Sequence, residues 1–445
     1  MSLFAKCCVP VLLACSVQCA WSLNLTQAYQ AALERDASTN AARATAAAGQ
    51  EYVPQAKAQL MPNISANMSR TRNELLSISP NILGQLADSS TNYASATNAL
   101  VVRQPIYRPY QWANFRQAQA QVDDVNAILD YTLQNLAVNV TSAYFEALLA
   151  SDQLALTRKQ LDTYRTQLDA ARKMLEAGSG TRTDIDEVQA RLDLSLAQEM
   201  EARQHVEYTR QQLQVLVDQP FERMAVLDPA RLALQAPRPE SMDGWIELAE
   251  QSSPELRVLR ARLEHASLDV DKANTGHLPT LDAVAQWSRN SSENQQNIDT
   301  TYQNKSFGIQ LNVPIFSGGG VNSAVRQALA NKEKALQSLE AGRRDLGVRV
   351  FKEYRGVTEG ILKVKALEQA VRSAEQALLS SQKSFQAGVR TRLDILNAEN
   401  TKMIALRDLA QARYLYLLSG LRLKALVGSA DLASVEAMNA YFVQQ

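Results

Sequence analysis

Hydrophobic positions along the chain follow two periods. The first is seven. Residues 133, 140, 147, 154, 161, 168 and 175 read Leu, Val, Ala, Leu, Leu, Leu, Leu, and residues 350, 357, 364, 371, 378 and 385 read Val, Val, Val, Val, Leu, Phe. No proline interrupts 110–177 or 315–387, the stretches that hold these series. An apolar residue at every seventh position predicts helices packed as coiled coils. At about 1.5 Å per residue, runs of this length reach on the order of 100 Å. Beyond Gly178, the residues Ile185, Val188, Leu192, Val206, Leu213 and Leu216 continue a seam on a returning helix.

The second period is two. Phe307, Ile309, Leu311, Val313 and Ile315 share one face of an extended run, with Gly308, Gln310, Asn312 and Pro314 on the other. Leu281, Ala283, Ala285 and Trp287 alternate in the same way, and so do Ile64, Ala66 and Met68 against Ser65, Asn67 and Ser69. Ala96, Leu100, Val102 and Ile106 share a face within 93–106. Such alternation predicts four strands. The intervening stretches, 72–92 and 288–306, are polar and are predicted as solvent loops. Segments rich in Ala and Gln at 24–59 and 243–275 are predicted helical and precede each strand pair.

These elements come twice in the same order. The stretch "GSGTRTDIDEVQA" from Gly178 is matched by "GVRTRLDILNAEN" from Gly388, an offset of 210 residues. Pro105-Ile106-Tyr107 resembles Pro314-Ile315-Phe316, and "FRQAQA" at 115–120 resembles "VRQALA" at 325–330. The chain is therefore predicted as a signal segment at 1–22, a first repeat at 23–227, a linker at 228–242, a second repeat at 243–430 and a tail at 431–445. Each glycine stretch reads as a tight turn between antiparallel helices, glycine supplying a left-handed cap. Thr181 with Asp184, and Thr391 with Asp394, have capping-box spacing at the start of the returning helix.

Charge narrows the function. Lys plus Arg equals Asp plus Glu at 46 each, without the basic excess of a general nucleic-acid binder. All four cysteines lie in the first nineteen residues, within an apolar run after Lys6 that reads as a secretory signal cleaved after Ser22. "LLAC" at 12–15 loosely fits a lipobox ending in Cys15, but the apolar run before it is short, which favours a plain export signal. After residue 22 no run of about 18 apolar residues offers a transmembrane helix. Alternating strands in an exported chain without such helices suggest an outer-membrane barrel, with a soluble sheet packed on a helix as the other reading. Four strands cannot close a barrel, and an open edge cannot face lipid, so several copies would have to pool their strands.

Chemistry of the catalytic kind is not apparent. His205, His265 and His277 are scattered without ligand spacing. "SGGGVNS" at 317–323 lacks the third glycine of a dinucleotide fingerprint, and its counterpart "YRPYQW" at 107–112 has no glycine, so a strand-to-helix bend is the reading adopted. No enzyme activity, metal or cofactor is expected.

The two-fold repeat, the order of strand, loop, strand and long helix, the opening "LTQAYQAAL…QAKAQLMPNIS" and the paired glycine turns resemble the TolC family of outer-membrane efflux and secretion channels. The resemblance implies a mainly α fold with a small β part. Helical hairpins would form a periplasmic α-barrel, and four strands per subunit would enter a trimeric twelve-stranded β-barrel in outer-membrane lipid. It implies a homotrimer working with a periplasmic adaptor (membrane fusion) protein and an inner-membrane transporter. It also implies that Gly178 and Gly388 sit at tunnel tips. Thr183, Asp184, Arg390 and Asp394 would form a closing latch, and Asp184, Asp394 and Asn397 would line a pore constriction. Phe385 and Asn397 depart from the family's tyrosine and second aspartate. The start of the mature chain and the weak lipid-anchor signal resemble the type I secretion branch, with an ABC-type transporter. A multidrug-efflux component with an RND-type transporter is the alternative, and a periplasmic coiled-coil scaffold without a pore is the alternative of another class.

Overall fold

The structure, a computed structural model, describes residues 22–443 apart from 81, 83 and 294–298. The signal segment and Cys15 lie outside the described residues; the boundary drawn after Ser22 falls inside the first strand. In chain order the elements are β1 (Ser22–Leu23), α1 (Leu25–Arg35), α2 (Ala37–Gln50), α3 (Tyr52–Ala58), β2 (Asn63–Pro80), β3 (Leu86–Tyr107), α4 (Pro109–Glu176) and α5 (Arg182–Val217). There follow β4 (Arg223–Met224), β5 (Val226–Leu227), α6 (Met242–Ser252), α7 (Pro254–Asn274), β6 (Thr280–Glu293) and β7 (Asp299–Asn312). The chain ends in α8 (Gly320–Gln386), α9 (Arg392–Leu426), α10 (Leu432–Asn439) and β8 (Phe442–Val443). The fold is mainly α with a small β part, as the two periods predicted.

The predicted segment 24–59 is three helices. Asp36 ends α1 and caps α2, its Oδ2 accepting from the Thr39 N–H at 2.7 Å and hydroxyl at 2.8 Å. The segment 243–275 breaks at Ser253, where Pro254 takes the first helical position and needs no N–H partner. The heptads are buried over the middle of each long helix, and Leu133, Val371, Leu378 and Phe385 are half-buried. Val140, Ala147, Leu154, Leu161 and Leu168 on α4 and Val350, Val357 and Val364 on α8 are all core residues, while Leu175 emerges near the helix end. On α5, Val217 rather than Leu216 closes the seam.

The strands form one antiparallel sheet in the order β2-β3-β6-β7, so the hairpin of the second repeat extends that of the first. Register puts the predicted apolar faces together: Ile64 pairs with Val102, Val102 with Ala285 and Ala285 with Phe307. Three readings need correction. Among the described residues the stretches 72–92 and 288–306 are mostly strand, not loop, with pairs such as Leu75 with Thr91 and Ser291 with Thr301. Ser, Thr and Asn look loop-like in composition, but the main-chain ladder continues through them. The last strand ends at Asn312, opposite Thr280, so Val313, Pro314 and Ile315 lie outside it. A bulge between Pro105 and Tyr107 puts Tyr107, not Ile106, opposite Leu281. The long second-repeat helix begins at Gly320, after Gly318 and Gly319 turn with φ of 58° and 78°. That is the strand-to-helix bend expected in place of a nucleotide loop. In the first repeat the same corner is turned without glycine. Pro109 opens α4, and Arg108 grips Asp282 of β6 with two hydrogen bonds, Nε to Oδ1 at 2.8 Å.

The chain divides into two compact units, and these do not follow the repeats. Among the described residues, one takes 22–40, 132–251 and 347–443; the other takes 41–131 and 252–346. In the first, an apolar core joins Leu25 and Ala28 of α1, Val140, Tyr144 and Phe145 of α4, Leu213 of α5 and Leu421 of α9 to Phe442. Phe442 stacks on Phe145 at 5.6 Å between centroids, and β8 pairs with β5. The stretch predicted as a tail therefore carries α10 and β8 and is packed into this core. The second unit holds the sheet.

Candidate functional site

The two hairpin turns are built by the same local physics. At Gly178 φ is +74° and at Gly388 it is +75°. Gly388 N donates to Phe385 O at 2.9 Å and Val389 N to Ser384 O at 2.9 Å; Gly178 and Ser179 repeat the pattern on Leu175 O and Met174 O at 2.9 Å each. This pair of bonds is the Schellman termination, which needs a left-handed residue at the glycine. The returning helices start with the predicted capping boxes. The Thr181 hydroxyl accepts from Asp184 N at 3.1 Å, and Asp184 Oδ2 accepts from the Thr181 N–H at 3.1 Å and hydroxyl at 2.6 Å. Thr391 and Asp394 do the same, with Thr391 N to Asp394 Oδ2 at 2.9 Å. The backbone N–H and hydroxyl of Thr391 hold the Asp394 carboxyl below the usual carboxylate range, with a smaller push from Arg390.

The structure treats the predicted latch residues unequally. Thr183 and Arg390 are exposed. Among the described residues of one chain, Arg390 is not bonded to Thr183 or Asp184; its Nη1 donates to Ser381 Oγ of its own hairpin at 3.4 Å. Asn397 is engaged across the hairpins, its Oδ1 accepting from Arg191 Nη2 of α5 at 3.3 Å.

The other residues of α9 that join the two hairpins in one chain were not singled out from the sequence. Leu396 of α9 is fully buried among Leu161, Tyr164 and Leu168 of α4 and Val188 and Leu192 of α5. Gln167 Nε2 of α4 donates to Glu399 Oε2 of α9 at 2.8 Å, and burial pushes the Glu399 carboxyl up. Arg392 is 7 % exposed and reaches Met174 and Gln167. Leu396 was legible as one more apolar position on α9. Arg392 was not, since arginine at a helix start reads as solvated.

The sheet is the other notable surface. Met68, Phe307, Ile309 and Leu311 are between 63 % and 80 % exposed, so in a single chain the apolar face has nothing to cover it. The opposite face carries Asn67, Ser69, Thr71, Thr97, Gln286, Asn290, Asn304 and Gln310 by register. The outer edges, β2 and β7, have no partner strand among the described residues. Among those residues no helix is long and apolar enough to cross a membrane.

Comparison with known proteins accounts for this combination. The model of the outer membrane efflux protein family matches residues 28–218 and 245–429, which fall in the two repeats. The alkaline protease secretion protein AprF of Pseudomonas aeruginosa is 34 % identical over 95 % of this chain and 88 % of its own length. The proteases secretion protein PrtF of Dickeya chrysanthemi is 28 % identical over 97 % and 94 %, and the outer membrane protein TolC of Vibrio cholerae is 29 % identical over 94 % of each chain. Among solved structures, the outer membrane protein VceC of Vibrio cholerae superposes with a TM-score of 0.77 at 18 % identity, covering 92 % of this chain and 97 % of that one. The CmeC outer membrane channel of Campylobacter jejuni gives 0.78 at 14 % identity, covering 94 % and 89 %. The chain therefore belongs to the outer membrane efflux protein family, as a channel protein of the outer membrane that extends into the periplasm.

Proposed function

We propose that the chain is the exit duct of a tripartite type I protein secretion system. The observation that carries the reading is the sheet: an uncovered face, apolar at the end of the strands nearest the helices, on four strands whose two edges are open. Lipid suits such a face, and further copies of the same edges suit the open ends. Three copies supply twelve strands, enough for a closed barrel with the Ser, Thr, Asn and Gln face turned to a watery lumen. That lining is polar and nearly free of charge, which suits passage of an extended polypeptide. The names of AprF and PrtF, both protease secretion proteins, support protein as the cargo. The partners are then a periplasmic adaptor and an ABC-type transporter of the inner membrane.

In the trimer, Asp184 and Asp394 of each subunit would bring six carboxylates to the tunnel's inner opening, with Asn397 one turn further. Arg390 would find Thr183 and Asp184 on a neighbouring subunit, since it is exposed and does not reach them in its own.

The test is co-expression with a secretion transporter, its adaptor and a protease cargo in cells lacking their own duct. Cargo in the medium is the expected result. Cargo retained while drug resistance is restored would replace this reading by multidrug efflux with an RND-type partner. Failure of the purified protein to conduct in planar bilayers would favour the periplasmic scaffold.

A further inference from the structure

Arg392 is a buried cation whose contacts come from two other helices, α4 and α8. Its Nη2 lies 3.0 Å from Met174 Sδ and its Nη1 3.4 Å from Gln167 O, both on α4. Its guanidinium sits 5.1 Å from the ring centroid of Phe385, at the end of α8. Among the described residues no carboxylate pairs with it. Guanidinium stays ionised under all ordinary conditions, so removing it from water without a counter-ion is costly unless the site supplies other partners. Here they are a π face, a thioether and a carbonyl.

The first repeat provides an internal control. The residue 210 positions earlier is Arg182, at the same place in its own turn. Arg182 points to solvent, 78 % exposed, and pairs with Asp186 one turn on, as a helix-start arginine ordinarily does. The same residue type at the same local position is thus exposed in one hairpin and buried against the other hairpin in the second. Local structure does not explain the difference; the inter-hairpin contact does.

We propose that Arg392 is a positioning residue that clasps the second hairpin to α4 of the first within each subunit, acting independently of Arg390. Phe385 travels with Arg392 on the same hairpin. Met174 and Gln167 do not. If the second hairpin swings away, Arg392 keeps the ring and exchanges the sulfur and carbonyl for water. The clasp therefore resists separation of the hairpins, and its removal loosens the tip whether or not neighbouring subunits are latched. Its consequence for gating rests on the channel reading; the clasp itself does not.

Two measurements on the purified full-length protein test it separately. In hydrogen exchange, Arg392→Ala should speed the amides of the first two turns of α9 and of α4 near Gln167 together, by about ten-fold or more. Met174→Ala should produce part of that effect, and the double substitution little beyond Arg392→Ala alone. Arg390→Ser should leave the α4 amides unchanged. In planar bilayers Arg392→Ala should raise the open probability by about five-fold or more, whereas Arg392→Met, which keeps the packing and loses the charge, should restore less than half of the closed fraction. Acceleration confined to α9, or strictly additive effects of the Arg392 and Met174 substitutions, would overturn the clasp. A wild-type protein that does not conduct would overturn the channel reading and leave the exchange result to decide the clasp.

Discussion

At the scale of single residues, the turns depend on a few hydrogen bonds whose loss has a sign and a size. Thr391 contributes a hydroxyl that both accepts from Asp394 N and donates to its Oδ2. Thr391→Ala should cost about 1 kcal/mol, read as roughly five-fold faster exchange of the amides at 392–394. Acid should act through the same box. The Asp394 carboxyl titrates below its ordinary value in the folded chain. Its contribution is thus fully present above the unfolded value of about 3.9 and is lost as pH falls through the lowered folded value. Protection of these amides should be flat from neutral pH down to about pH 4 and decline only below it. Asp394→Asn, which cannot titrate, should show less protection at neutral pH and no acid step. Decline already near pH 6 would mean that another group controls the turn.

At the scale of elements, the sheet separates two faces by register, and that separation can be tested by a charge. Leu311 pairs with Leu281 on the apolar face and is 63 % exposed in one chain. Leu311→Lys should impair insertion by about 2–4 kcal/mol if the position lies near the bilayer midplane. The choice of control comes from the structure. Gln310 on the other face is paired with Asp282, which would repel an acidic replacement, whereas Ser306 is paired with neutral Gln286. Ser306→Lys should therefore insert almost as well as the unchanged protein. The measurement is the yield of folded oligomer in outer-membrane extracts; equal yields for the two variants would remove the lipid-facing assignment. The corners at the end of β3 and after β7 show a further contrast between elements. One repeat turns with glycines and the other with the Arg108–Asp282 pair, so the same bend is reached by backbone freedom in one and by side-chain grip in the other.

At the scale of the whole molecule, the prediction concerns the assembled opening. A ring of carboxylates favours cations and binds multivalent ones. The trimer should be cation-selective and blocked by trivalent cations, and Asp394→Ala should lose most of the block in single-channel recordings. Anion selectivity of the unmodified protein would sink the ring. One exposed ion pair contributes about 0.2–1 kcal/mol, so three symmetric Arg390 pairs should shift the open fraction by roughly 3- to 150-fold. Arg390→Ser should therefore raise the open probability, and adding Asp184→Ala should change little more. Additive effects on conductance would show that the two residues do not share one latch.

The sequence by itself determined whatever depends on neighbours along the chain. Period seven reported the buried stripes of α4 and α8, because a helix returns the same face every second turn. Period two reported the apolar sheet face, because side chains alternate along a strand. Gly-x-x-Thr-x-x-Asp reported the turns, because cap hydrogen bonds join residues three apart. The repeat reported that each of these comes twice. Tertiary structure decided what depends on residues far apart in the chain. The ladder carried strands through Ser- and Thr-rich stretches that composition marks as loop. The bulge before Tyr107 moved Ile106 off its face, since register belongs to the partner strand as much as to its own. Phe442 became core because β5 was there to receive β8. The same arginine at position 182 and position 392 met water in one hairpin and α4 in the other, and only the packing of the two hairpins distinguishes them.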